Sequence, residues 1–170
     1  MTNPAADPPP NPNSKKPMSA RDPFIPANPD FVETVRRNTL DMPAARFFGV
    51  EFADIGPGHL EAVLPYRDEL SYRPGHFQGT AVSAVAYFAA TSALGTLLPA
   101  DRIGLTLDQN VKFLAPATGE RLVARGRTIS AGHSVSVGTA DVFAVKDGRE
   151  TLCATAQVTV RNVDRSKLEG

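Results

Sequence analysis

Between Leu70 and Ala100 the chain has no aspartate and no glutamate. A reaction centred on that stretch has no carboxylate of its own to serve as base or nucleophile. Cysteine is nearly absent as well. With Cys153 alone, an intramolecular disulfide framework and a cysteine-based zinc cluster are excluded. Its neighbours in TLCATAQVTV are small or β-branched, which reads as a buried strand position rather than a nucleophile. Neither charge is in excess, because 18 basic side chains face 18 acidic ones. Nothing therefore points to nucleic acid or an anionic membrane. No apolar run is long enough to cross a bilayer. A GxSxG elbow, a P-loop and a dinucleotide fingerprint are all missing from any strand–turn–helix context, which sets aside mechanisms built on them. No metal site is expected.

The opening stretch MTNPAADPPPNPNSKKPMSARDPF lacks the apolar core of a secretory signal. Proline, asparagine and lysine dominate it, so residues 1–22 read as a disordered tail. Residues 23–165 read as one domain and 166–170 as a C-terminal tail, since 170 residues suit a single core. The expected location is the cytoplasm, and Met18 is an alternative start.

What is present is a change of period along the chain. NPDFVETVRRNTLD has helical spacing, with Phe31, Val35 and Thr39 on one side, Asn28 as N-cap and Pro29 in the first turn. A short turn follows at MPAARF. GVEFADIG and HLEAVLPY then read as strands joined at Gly56-Pro57-Gly58, with Leu60, Ala62 and Leu64 on one face. After the loop RDELSYRPGHFQ, the segment GTAVSAVAYFAATSALGTLLP is small or apolar on all sides, the mark of a helix wrapped by protein. Gly95 and Pro99 mark its end. Four strand-like segments close the chain: IGLTLDQNVKFL, ERLVARGRTIS, HSVSVGTADVFAVK and RETLCATAQVTVRN. The turns between them imply an antiparallel meander. In the last, Leu152, Ala154, Ala156, Val158 and Val160 should share a face. The predicted class is α+β, a curved antiparallel sheet wrapped around one central helix with a short helix before it.

That order resembles the hotdog fold and, within it, the PaaI-like acyl-CoA thioesterases. The resemblance runs from about Asn38 to Val163. It rests on MPAARFFGVEFADIGPGHLEAVLP, GHFQGTAVSAVAYFAATSA and, most specifically, GLTLDQNVKFLAPATGERLVARGRTISAG. It implies hydrolysis of an acyl-CoA thioester without a metal, by a helix-borne carboxylate and a backbone N–H at the helix start. No cofactor is implied beyond the coenzyme A of the substrate. It also implies a homodimer or homotetramer with sites between subunits.

The family motif at the helix start is an asparagine, then His-Gly-Gly, then an aspartate inside the helix. Setting its last glycine on Gly79 places Ser71 at the asparagine, Phe77 at the histidine, Gln78 at the first glycine and Ala86 at the acid, beside Tyr87. Three outcomes stay open. The acid has moved, to Asp68 or Glu69 on the preceding loop or to Asp108 on the next strand, where Thr106 matches a polar position of the family. Alternatively His76 acts as base with Gln78 as polariser, its own N–H being available to an oxyanion. Otherwise catalysis is lost and an acyl-CoA-binding module remains. The residues expected to take part in catalysis are His76, Gln78, Gly79, Thr106 and Asp108. Ser71, Phe77, Tyr87, Asn110 and Arg125 are expected around the substrate. Asp108 should share a strand face with Thr106, Asn110 and Lys112, where pairing with Lys112 is the plainer reading. Arg125, in a row with Arg121 and Arg127, could meet coenzyme A phosphates or lie on a solvated strand face. A hotdog enoyl-CoA hydratase or dehydratase is a further alternative, disfavoured by the acid-free helix.

Overall fold

The computed structural model describes residues 24–167, and the expected N-terminal tail and the last three residues lie outside them. The first helix, α1 (Phe31–Leu40), buries Val35 and Thr39 as its spacing requires. Its cap is Asp30 rather than Asn28. Asn28 sits two residues earlier, where its Oδ1 accepts the Asp30 N–H at 3.0 Å and its Nδ2 donates to Thr34 at 2.9 Å. The short α2 (Pro43–Phe48) begins on a proline and ends at Gly49, whose φ of +72° favours glycine.

β1 (Glu51–Gly56) and β2 (His59–Pro65) form the expected hairpin, with Leu60, Ala62 and Leu64 buried. The loop that follows holds a small hairpin that the sequence pattern does not reveal, β3 (Ser71–Arg73) against β4 (His76–Phe77). It leads directly into α3 (Gly79–Gly95). β5 (Arg102–Phe113), β6 (Arg121–Ala131), β7 (Val135–Lys146) and β8 (Arg149–Asp164) complete a six-stranded antiparallel sheet in the order β1-β2-β6-β7-β8-β5.

Only β6, β7 and β8 form a meander, so the expectation of four consecutive neighbours is corrected. β5 lies on the far edge beside β8. From its end the chain crosses the sheet near the start of α3. Leu114 N–H bonds Cys153 O on β8, Ala117 O accepts from Phe77 N–H, and Glu120 O accepts from Tyr66 N–H just after β2. The physical reason is the helix. Strands must close around α3 on both sides, and its buried residues, from Ala81 to Leu94, give β2, β6, β7, β8 and β5 one common core.

β8 departs from the alternation read in the sequence. Val142 pairs with Ala154 but Phe143 pairs with Leu152, so Cys153 is an extra residue in the strand. Cys153 turns inward and is fully buried, while Leu152, expected inward, is 41% exposed. The Cys153 thiol donates to Val142 O at 3.3 Å. Burial pushes its pKa up to about 11, so it stays a thiol at neutral pH. A thiol-specific disulfide reagent at pH 8 is expected to leave the native protein unlabelled and to label one cysteine after denaturation. Rapid labelling of the native state would contradict this placement.

Candidate functional site

The start of α3 is fixed from both sides. Phe77 N–H donates to Ala117 O at 2.9 Å and Gln78 N–H to Leu70 O at 2.8 Å. The Gln78 side chain caps the helix, its Oε1 accepting from both the N–H and the hydroxyl of Thr80. Ala81 N–H bonds Gln78 O at 3.0 Å. The Gly79 N–H alone in this first turn has no acceptor within the described residues. The sequence expectation for Gln78 is therefore corrected. Its own amide is consumed by Leu70, and the free donor belongs to Gly79. A donor with no partner at a helix N-terminus, where the helix dipole is positive, is suited to a developing oxyanion.

From Gly79 the outward face of α3 runs through Ser83, Tyr87 and Thr91, one turn apart. β5 lies alongside in the opposite direction. A Cβ on Gly79 would stand 3.4 Å from Phe113 Cζ. One turn on, Gln109 Nε2 donates to Ser83 O at 3.0 Å. A turn further, the Tyr87 and Thr106 hydroxyls are 2.9 Å apart. Tyr87 and Thr106 are thus brought together. Gln109 and Ser83 were missed, because nothing in the sequence shows where β5 changes register.

That change decides the fate of Asp108. Thr106 pairs with Val160 but Asp108 pairs with Thr159, so the strand slips by one residue at Leu107. Thr106, Gln109 and Val111 face the helix side, whereas Asp108, Asn110 and Lys112 face outward beside Thr159, Gln157 and Thr155. The expectation that Asp108 shares a face with Thr106 is wrong for this reason. Asp108 and Asn110 lie across the sheet from α3. Changing Asp108 to Asn is accordingly expected to alter any activity of the helix start by less than about twofold, as for a surface position. A loss comparable to deleting a catalytic group would restore Asp108 to the site.

The other expected residues divide in the same way. His76 is held in its loop: Nδ1 meets Pro74 O at 3.0 Å, Nε2 meets Arg73 Nη2 at 2.9 Å, and the ring packs edge-on to Tyr72. Arginine can only donate, so Nε2 is the acceptor and the proton sits on Nδ1. Both ring nitrogens are engaged within the loop, and neither meets a group on α3. Phe77 is a core residue, buried and edge-on to Tyr66 at 5.3 Å, rather than a substrate contact. Ser71 donates its hydroxyl to Asp68 O at 2.8 Å, closing a local turn. Asp68 accepts from the Tyr66 hydroxyl at 3.0 Å. Neither Asp68 nor Glu69 bonds a group on α3.

Arg125 also leaves the site. It projects from the outer face of β6, with Nε 2.8 Å from Glu61 and two bonds of 2.7 Å to Glu150, and its guanidinium stacks on Phe143 at 4.8 Å. The bidentate bond from Arg125 holds the Glu150 carboxyl below its usual range. Two carboxylates already neutralise this arginine, so it offers no free charge to a phosphate.

Comparison with known proteins agrees with this architecture. The family model described as the thioesterase superfamily matches residues 75–151. The crystal structure of a thioesterase family protein from Silicibacter pomeroyi superposes with a TM-score of 0.76 at 29% identity, covering 79% of this chain and 98% of that one. The fold is the hotdog fold, and residues 75–151 are similar to the thioesterase superfamily. A Haemophilus influenzae thioesterase aligns at a TM-score of 0.67 and 21% identity over 75% of this chain and 87% of its own. Zebrafish thioesterase superfamily member 2 aligns at 0.65 and 20% over 76% and 94%. A search of curated proteins returned no match.

Against the motif implied by the resemblance, this hotdog chain keeps the helix-start amide and the strand hydroxyl and lacks the acid. Ala86 is fully buried among apolar neighbours. Where β5 faces α3 between Gly79 and Thr91, the polar side chains are hydroxyls and one amide: Ser83, Tyr87, Thr91, Thr106 and Gln109. No group of three or more metal-ligating side chains occurs among the described residues.

Proposed function

We propose that the protein is an acyl-CoA thioesterase of the PaaI-like type, acting at the start of α3. The observation that carries this reading is the unpaired Gly79 N–H, held in place by the Gln78 cap. In the proposed reaction the thioester carbonyl oxygen accepts that N–H. Water adds to the carbonyl carbon, the C–S bond breaks, and the coenzyme A sulfur leaves and takes up a proton. Ser83, one turn along the same face, is suited to orient the water. Thr106 and Tyr87 form the far wall. No carboxylate of the same protomer takes part.

The working unit in this reading is a homodimer. β5 is a long edge strand carrying exposed Leu107 (60%) and Phe113 (57%). An uncovered edge of that kind invites pairing, and a second copy offers the same edge in a closed, two-fold arrangement. The buried Ala86 favours a second reading, an acyl-CoA-binding protein without hydrolysis.

Free-thiol release over a panel of acyl-CoAs, run beside thermal melts with the same ligands, separates the two. Release of coenzyme A from at least one acyl-CoA, with Ser83→Ala slower than wild type, is the expected result. Thermal stabilisation by acyl-CoA with every thioester left intact would move the conclusion to the binding module.

A further inference from the structure

The backbone just before Gly79 is set by two bonds, from Phe77 N–H to Ala117 O at 2.9 Å and from Gln78 N–H to Leu70 O at 2.8 Å. The second holds only while Leu70 stays in place. Leu70 ends a single 3-10 turn (Asp68–Leu70), and its own N–H bonds Arg67 O at 3.0 Å. The position of the free Gly79 amide thus depends on the loop between β2 and α3, most of which is exposed.

One side chain ties that loop together. Tyr66 follows β2 directly, and its N–H is anchored to Glu120 O at 2.8 Å. Its hydroxyl donates to Asp68 Oδ1 at 3.0 Å and accepts the Gly75 N–H at 2.8 Å. Asp68 opens the turn that carries Leu70. Gly75 is the tip of the β3–β4 hairpin, at φ +75°, and a Cβ there would meet nothing within 4 Å. No packing at the tip stands in for the bond to Tyr66. The half-buried Tyr66 ring also lies edge-on to Phe77, with 5.3 Å between centroids. A phenol donates one hydrogen bond and accepts others, and this one does both inside the loop. Among the described residues Tyr66 makes no hydrogen bond to α3, so its effect on Gly79 passes through the Asp68–Leu70 turn, Gly75 and Phe77.

We propose that Tyr66 is a positioning residue for the Gly79 N–H, its hydroxyl bridging the two arms of the loop that leads into α3. This rests on the thioesterase reading above and adds what holds the oxyanion donor in place. Misplacing a reacting group by about 1 Å costs on the order of 10²-fold in rate. A loosened loop displaces the amide by less, so a loss of about tenfold is expected. The loss falls on kcat, because an oxyanion donor acts on the transition state more than on bound substrate.

The test uses Tyr66→Phe, which keeps the ring against Phe77 and removes both bonds, alone and combined with Gly79→Pro. Thiol release is measured on the acyl-CoA that wild type cleaves fastest. Tyr66→Phe is expected to lower kcat about tenfold and to leave KM within about twofold. In the Gly79→Pro background the same change is expected to alter kcat less than about twofold, since a residue acting through that amide then has nothing to position. Asp68→Ala, at an exposed position, should also lower kcat and covers the case in which Tyr66→Phe folds poorly. Asp68→Asn, whose amide oxygen still accepts from the phenol, should restore most of that loss. An unchanged kcat in Tyr66→Phe, a loss confined to KM, or full multiplication of the two losses in the double variant would overturn the proposal. So would a deeper loss in Asp68→Asn than in Tyr66→Phe, which would make the Asp68 carboxylate itself the base. If wild type cleaves no thioester, the thioesterase reading fails separately, and amide hydrogen exchange decides the role of Tyr66. Exchange at Phe77 and Gln78 at least about tenfold faster in Tyr66→Phe supports it, and exchange equal to wild type overturns it.

Discussion

Gly79→Pro is expected to lower kcat for thioester hydrolysis by about 10²- to 10³-fold, the usual effect of deleting one oxyanion donor. Proline is well suited to remove this N–H and little else. Gly79 is the first residue of α3, where proline is tolerated because the N–H has no helical partner and the fixed φ suits the helix. Gln78, at φ −74° and ψ 145°, already has the extended conformation required before proline. A Cβ at this position would meet only the exposed ring of Phe113, 3.4 Å away. Gly79→Ala introduces the same Cβ and keeps the N–H. It is expected to hold kcat within a few-fold of wild type, so the pair isolates the amide from the added bulk. Steady-state thiol release on both variants, with thermal melts to verify folding, measures this. Equal activity in the two would mean that the Gly79 N–H does not stabilise the transition state.

Gly126→Ala is expected to cost about 2–3 kcal/mol of stability, at the upper end of the overpacking range. Gly126 lies on β6 where the strand crosses α3. A Cβ there would overlap the carbonyl of Ala89 and stand 2.9 Å from Ala90 N. Both neighbours are backbone atoms of a fully buried helical turn, so neither can rotate away. Relief requires α3 to move off the sheet, which loosens the core shared by β2, β6 and β7. Gly138, on β7, meets the same helix less closely, its Cβ standing 3.1 Å from Ala90 O and from Leu94 Cγ, and Gly138→Ala should cost less. Urea unfolding followed by circular dichroism reads the order directly. A Gly126→Ala midpoint equal to wild type would show that helix and sheet are not in this contact.

The main elements and the fold class are legible in the amino-acid order, the β3–β4 hairpin excepted. Leu60, Ala62 and Leu64 alternate strictly and are buried as read. The apolar stretch beginning at Gly79 has no polar face to give to water, so it had to become the wrapped helix. The free amide at that helix start was visible in outline as well, because helix N-termini always leave N–H groups over. Tertiary structure alone decided which side chains share the site. One extra residue in a strand reverses the side of everything beyond it, and composition does not mark where that residue falls. The slip at Leu107 turned Asp108 and Asn110 away from α3 and brought in Gln109. The slip at Cys153 did the same to Leu152. Capping was equally hidden, since the bond from Gln78 N–H to Leu70 O joins two loop residues across the β3–β4 hairpin and leaves Gly79 as the donor. The acid-free stretch from Leu70 to Ala100 kept its meaning, for the slip at Leu107 turns Asp108 away and, among the described residues, no carboxylate bonds a group on α3.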